Sequence, residues 1–195
     1  GAVRDGDYVL AICARQMKAE DSLKGNCVVT TVMANLGLEH SLREVGIRMV
    51  RTAVGDRYVL EEMQQLGANL GGEQSGHLIF LDQALTGDGT LSALQLLSVM
   101  EKSGKPLSEL ARCLTKFPQL LLNVPVRTKL PFEQLPKFAE SLRGLEQSMN
   151  GRGRILVRYS GTEPLARIMV EGDDPRAIES AANELADILR RELGA

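Results

Sequence analysis

Tryptophan is absent from this 195-residue sequence, and Phe, Trp and Tyr together make up only 4% of it. Aromatic stacking platforms for bases or sugar rings are therefore scarce. Neither sign of charge is in excess: Lys plus Arg is 23, Asp plus Glu is 25, and the formal net charge is −2. A nucleic-acid-binding domain or a polybasic membrane-surface protein would carry a basic surplus, so both classes are disfavoured. The three cysteines, Cys13, Cys27 and Cys113, are widely spaced and form no CxxC. That odd, scattered set reads as buried reduced thiols in a cytoplasmic protein, not as a disulfide scaffold. No apolar run reaches transmembrane length, and no signal peptide opens the chain. The nucleotide-binding GxxxxGK(S/T) and the hydrolase GxSxG are both missing. What remains, 44% hydrophobic and 25% charged residues, is ordinary for a globular chain of one large or two small domains. The first residues, Gly1-Ala2 with no Met, read as a processed start or as a piece of something longer.

Hydrophobic spacing predicts a helix over 7–18 with Asp7 as its N-cap, a continuous β-branched strand over 26–33, and a short helix over 38–45 stopped by Gly46. An alternating strand over 47–54 and a helix over 57–66 ended by Gly67 come next. A Gly-rich stretch over 71–76 leads into a strand over 77–82, then helices over 88–103 and near 107–114. Strands alternating with helices predict an α/β domain with a mixed sheet and flanking helices. From about residue 116 the order changes to strand 117–127, helix 132–149 broken or started at Pro136, strands 153–159 and 165–172, and helix 175–193. That order predicts a small α+β domain with an antiparallel sheet and helices on one face.

Three runs could carry chemistry. Arg158-Tyr159-Ser160-Gly161-Thr162-Glu163-Pro164 lies between two predicted strands. A phosphate wants several donors around one point: Ser160 and Thr162 offer hydroxyls, Gly161 admits backbone N–H groups, and Arg158 offers a planar fork. The same letters also compose an ordinary strand-joining turn. Gly71-Gly72-Glu73-Gln74-Ser75-Gly76-His77 is the second run. In an extended loop Glu73 and Ser75 share a face, and a carboxylate beside a hydroxyl suits vicinal sugar hydroxyls. A Gly-rich turn with an exposed Glu, and a structural His77, is the plainer reading. The third, Gly55-Asp56-Arg57-Tyr58, opens a helix; Asp56 suits a cap, and the helix end could face an anion. Asp88 suits a cap likewise. Asp5-Gly6-Asp7 supplies too few oxygens for a divalent cation, and His40 and His77 are not at metal-ligand spacing.

Gly71–His77, followed about eighty residues later by Arg158–Pro164, is more than a generic pattern. With the turn Asn35–Leu38, the run Val54–Leu60, Thr86–Gly89 and Ala166–Gly172, it resembles the α-D-phosphohexomutase superfamily over essentially the whole chain. The Gly-Asp-Arg-Tyr run and the Gln74 after Glu73 are most similar to the phosphoglucosamine mutase branch. Members of the superfamily have four domains around a central cleft: a phosphoserine in domain 1, a Mg-binding run of three Asp in domain 2, a sugar-recognition loop in domain 3 and a phosphate loop in domain 4. The resemblance implies that residues 1–115 are domain 3 and residues 116–195 are domain 4. It implies that Glu73 and Ser75 bind sugar hydroxyls, that His77, Gly55, Asp56 and Arg57 line the substrate cleft, and that Arg158, Ser160, Gly161 and Thr162 hold the phosphate that is not being transferred. Tyr159 departs from the Pro of many relatives, which bears on loop stiffness and not on the donor set.

Neither the serine motif nor a DGDxDR metal run occurs. The resemblance therefore implies a substrate-binding C-terminal half, inactive alone and without a metal or catalytic residue of its own. Its whole enzyme would interconvert glucosamine 6-phosphate and glucosamine 1-phosphate through a bisphosphate, toward UDP-N-acetylglucosamine. The implied partners are a phosphorylated amino sugar and the missing domains 1 and 2, the latter holding Mg; no nucleic acid and no membrane are expected. Phosphomannomutase/phosphoglucomutase and a non-catalytic phosphosugar-binding module are the alternatives.

Overall fold

The computed structural model describes residues 1–149 and 151–194. The chain divides into two compact units, Gly1–Lys116 and Phe117–Ala195.

The first unit runs α1 (Gly6–Ala19), β1 (Cys27–Thr31), α2 (Leu36–Glu44), β2 (Arg48–Thr52), α3 (Asp56–Leu66), β3 (Leu70–Gly72), β4 (Leu78–Phe80), α4 (Gly89–Ser103) and α5 (Leu107–Leu110). Its sheet has the order β2-β1-β3-β4. β1 lies parallel to both β2 and β3, and β4 runs antiparallel to β3, so the sheet is mixed. β1 is interior and buried at every position, which is why its sequence is a continuous β-branched run and not an alternating one. The pleat sends neighbours to opposite sides. Val28 joins α1 and α2 through Leu10, Ala14, Leu38 and Leu42, whereas Val29 meets α3 through Val59 and Met63. Helices thus cover both faces.

Two predicted caps differ from the structure. Asp5, not Asp7, occupies the cap position of α1; Asp7 sits in the first turn, fully buried. Gly55, not Asp56, caps α3, with φ 135° and ψ 131°, a conformation L side chains rarely adopt. Asp56 instead accepts from the neighbouring Arg57 N–H at 2.8 Å. Asp88 does cap α4, accepting from Leu91 N–H at 2.9 Å.

The second unit runs β5 (Gln119–Pro125), α6 (Pro136–Met149), β6 (Gly153–Tyr159), β7 (Leu165–Gly172) and α7 (Pro175–Leu193). Its antiparallel sheet has the order β5-β7-β6. Pro136 starts α6, where its missing N–H costs nothing, after a turn of 3-10 helix at 132–134. α7 buries Ile178, Ala181, Ala182, Leu185 and Leu189 against Ala166, Ile168 and Val170 of β7 and Phe138 of α6. Asp174 caps α7 by accepting from Arg176 N–H at 2.9 Å, with Pro175 in the first turn.

Candidate functional site

In the first unit the polar runs converge because of the sheet. β1, β2 and β3 are parallel, so their carboxyl ends share one edge, where ligands of open α/β sheets bind. Asn35 follows β1 and caps α2, its Oδ1 accepting from Gly37 N–H at 2.9 Å. Gly55 follows β2, and residues 73–77 follow β3.

Residues 73–76 are a tight turn, the plainer of the two sequence readings, and not the extended loop of the other. Gly76 N–H donates to Glu73 O at 3.0 Å, and Glu73 N–H donates to His77 O at 2.9 Å. Glu73 and Ser75 therefore do not share a face by strand alternation, because that requires extended backbone. What brings the runs together is a bond across the edge: Gly55 N–H donates to Glu73 Oε1 at 3.2 Å. An anionic side chain at the start of α3 is also favoured by the helix dipole. Gln74 turns the other way, its Nε2 donating to Asp7 Oδ2 at 3.0 Å, and its carbonyl accepts from Gly6 N–H at 3.0 Å. Ser75, His77, Asp56 and Arg57 are exposed. His77 lies against Gly87, whose added Cβ would stand 3.6 Å from His77 Cβ. Arg57 rests in an exposed ion pair with Glu61 at 2.7 Å, a contact weak enough to be exchanged for a ligand.

In the second unit the 160–164 loop closes the β6–β7 hairpin. Ser160 N–H donates to Leu165 O at 2.8 Å, and Ser160 is buried at 4% exposure. Its Oγ accepts from Glu163 N–H at 3.3 Å, fixing the bend, while Gly161 and Thr162 are exposed at the tip. The register places Arg158 directly opposite Arg167. Like charges facing each other across a ladder are unfavourable unless an anion joins them. The next charged pair along the same face, Arg154 with the buried Glu171, is of opposite sign. Arg167 Nη2 bonds Glu163 at 2.7 Å, yet its buried Nε has no hydrogen-bond partner among the described residues. Arg158 makes no ion pair there either; partial burial, first, and then Arg167 pull its guanidinium below its usual pKa. Lys129 adds a third cation, its Nζ donating to Ser160 O at 2.5 Å.

Sequence reasoning did not single out Arg167 and Lys129, which the structure brings beside Arg158 and Ser160. Arg167 was within reach: a hairpin turning about 162–163 necessarily sets 158 against 167. Lys129 was not, since nothing in its neighbourhood marks it. A groove of about 340 Å³ between α6 and α7 is lined by Gly153 and Gly172, at the other end of the hairpin from these cations.

Among the described residues no three His, Cys, Asp or Glu side chains gather. Asp5 is engaged by Lys116, and Asp7 accepts from two amides. The donor set does not fit a magnesium ion. No helix of the described residues is long and apolar enough to cross a membrane.

Comparison with known proteins accounts for both units. The pattern for phosphoglucomutase/phosphomannomutase alpha/beta/alpha domain III matches residues 5–117, and that for the phosphoglucomutase/phosphomannomutase C-terminal domain matches residues 121–188. A phosphoglucosamine mutase of Solidesulfovibrio magneticus is 52% identical over 193 residues, 99% of this chain and 43% of that protein. One of Solibacter usitatus is 54% identical over 194 residues, 100% of this chain and 44% of that protein. The chain thus spans less than half the length of the curated relatives it matches. In fold it is similar to an Aspergillus fumigatus N-acetylphosphoglucosamine mutase solved with GlcNAc-6P and magnesium: TM-score 0.79, 20% identity, covering 95% of this chain and 46% of that one.

Proposed function

The chain belongs to the phosphoglucomutase/phosphomannomutase (phosphohexomutase) family, and from that premise we propose that it is the substrate-binding part of a phosphoglucosamine mutase. The reaction is the interconversion of glucosamine 6-phosphate and glucosamine 1-phosphate. A phosphosugar has two ends, and the chain has a loop for each. The 160–164 loop takes the phosphate that is not transferred: Arg158 and Arg167 donate as paired forks, with Ser160, Gly161 and Thr162 at the bend. The 73–77 turn takes sugar hydroxyls through Glu73 and Ser75. His77, Gly55, Asp56 and Arg57 border it on the same sheet edge. In such a mutase the substrate turns over as a bisphosphate, so the phosphate loop must accept the phosphate of either end and the sugar loop the hydroxyls of either orientation, neither touching the reacting bond. Positioning and charge stabilisation are what phosphoryl transfer asks of a protein. The phosphoserine and the magnesium are contributed by segments outside this sequence, as the superfamily resemblance implies.

One observation carries the reading: two arginines face each other across a hairpin whose loop already holds Ser160, and no carboxylate of the described residues is paired with Arg158. The test is titration of the isotope-labelled chain, followed by NMR, with inorganic phosphate, glucose 6-phosphate and glucosamine 6-phosphate. Phosphate should shift residues 158–162, and the sugar phosphates should extend the shifts to 73–77, most strongly for the amino sugar. Arg158→Ala should weaken phosphate binding by on the order of tenfold, the worth of one charge-assisted bond. Unchanged affinity in that variant, or no shift at 158–162, would sink the assignment.

A further inference from the structure

We propose that Asp7 is a positioning residue for the 73–77 turn, its buried carboxylate holding Gln74 so that Glu73 and Ser75 are presented to the sugar. The proposal deepens the sugar-binding reading above and rests on it.

Asp7 is fully buried in the first turn of α1. A buried carboxylate ordinarily has a cation beside it. Here the near cation, Lys116, bonds Asp5 instead. Asp7 Oδ2 accepts from Asn35 N–H and from Gln74 Nε2, each at 3.0 Å. Its Oδ1 has no hydrogen-bond partner among the described residues. One oxygen therefore joins the start of α1, the start of α2 and the turn after β3. The backbone reinforces the junction. Gly6 N–H donates to Gln74 O at 3.0 Å, and a Cβ on Gly6 would stand 2.1 Å from Glu73 O, so the helix start packs against the turn with no room to spare. From the turn, Glu73 Oε1 reaches on to Gly55 N–H. Movement of Gln74 would thus be felt at Glu73, Ser75 and Gly55 together.

A purely structural link would be better made by an amide. Asn in place of Asp7 could accept the same two bonds without burying a charge. Burial instead pushes the Asp7 carboxyl up to about 6, against the lowering effect of its bonds to Asn35 and Gln74. The charged groups acting on it are the Asp5 carboxylate, which raises it, and the Lys116 ammonium, which lowers it. Bonds to a carboxylate are stronger than bonds to its neutral acid. Protonation at Oδ1 leaves Oδ2 a weaker acceptor, and the grip on Gln74 slackens.

The experiment compares the chain with Asp7→Asn and Gln74→Leu by NMR from pH 8 to pH 5. In the parent, the Gln74 side-chain amide and the backbone amides of 73–76 should titrate with a midpoint near the Asp7 value. In Asp7→Asn that step should vanish while the fold remains. Glucosamine 6-phosphate affinity, measured at pH 7.5 and 5.5, should fall about fivefold more in the parent than in Asp7→Asn, the worth of one weakened hydrogen bond. Comparison at matched pH cancels titration of the ligand's own phosphate. Gln74→Leu, which leaves Asp7 in place should Asp7→Asn fail to fold, should bind the sugar phosphate about fivefold more weakly at pH 7.5 with inorganic phosphate affinity unchanged. Turn amides that titrate identically in parent and Asp7→Asn, or full sugar affinity in Gln74→Leu, would overturn the proposal. A turn that follows Asp7 in a chain without sugar affinity at any pH would instead overturn the sugar-binding reading and leave the link between Asp7 and Gln74 standing.

Discussion

Asp7 has a thermodynamic consequence that the sequence conceals. Its carboxyl is raised from 3.8 to about 6, chiefly by burial. The folded chain therefore binds more protons than the unfolded one between those values, and stability falls as pH rises through that window. Above about pH 6 the whole cost is present; below about pH 4 it is gone. A rise of that size corresponds to about 3 kcal/mol. Asp7→Asn should accordingly be more stable than the parent at pH 7, by up to about 2–3 kcal/mol, with the gap closing toward pH 4. Urea denaturation at pH 7 and pH 4 measures it, and a variant less stable than the parent at pH 7 contradicts the argument. An Asp near a helix start reads as a cap because caps are local. What buries Asp7 is not local, since Asn35 lies 28 residues away and Gln74 67 residues away. Arg158 shows the opposite case. Its place opposite Arg167 follows from hairpin register alone, so the pair was legible even though Arg167 stands out in the sequence only as part of a longer motif.

Elements with strong periodicity were read well. β6, β7 and α7 carry alternation or a sustained apolar stripe, and they occupy 153–159, 165–172 and 175–193, the spans read from sequence. The short strands were harder. The strand expected over 77–82 shrinks to Leu78–Phe80, because a tight turn takes His77 and the pairing with β3 lasts only three residues. The loop after β6 is tied to a neighbouring segment. The Tyr159 ring stacks on Phe132 at 4.5 Å and 14°, its hydroxyl donates to Leu130 O at 2.6 Å, and Lys129 holds Ser160 O. A strap over 129–132 should thus order the loop from outside, as a Pro would from within. Tyr159→Phe keeps the stack and loses one hydrogen bond, whereas Tyr159→Ala loses both. Phosphate affinity should be within about twofold of the parent in Tyr159→Phe and several-fold weaker in Tyr159→Ala, with about 1–3 kcal/mol lost in stability for the latter. Phosphate titration and thermal unfolding of the two variants decide it; equal affinities would mean that the strap does not order the loop.

At the scale of the whole molecule, a net charge of −2 hides a local excess. Arg158, Arg167 and Lys129 surround one hairpin loop with Glu163 as the carboxylate among them. Composition, which sums to near neutrality, is silent about three cations that only register and tertiary contact assemble. The same scale separates binding from chemistry. Phosphoryl transfer needs a nucleophile and, in the proposed mutase, a metal, and the described residues gather no three-ligand group. Binding needs neither. The chain should therefore bind phosphate with no dependence on magnesium. Millimolar Mg²⁺ should shift neither its melting temperature nor its phosphate affinity beyond ordinary ionic-strength screening, for which an equal ionic strength of NaCl is the control. Glucosamine 6-phosphate should bind but not turn over, measured as glucosamine 1-phosphate formed with and without glucose 1,6-bisphosphate and Mg²⁺. A magnesium-specific rise in stability would reveal a site that no group of three His, Cys, Asp or Glu among the described residues forms. Turnover by the chain itself would break the division of labour on which the proposed function rests, because it would place the nucleophile among residues assigned to holding the substrate.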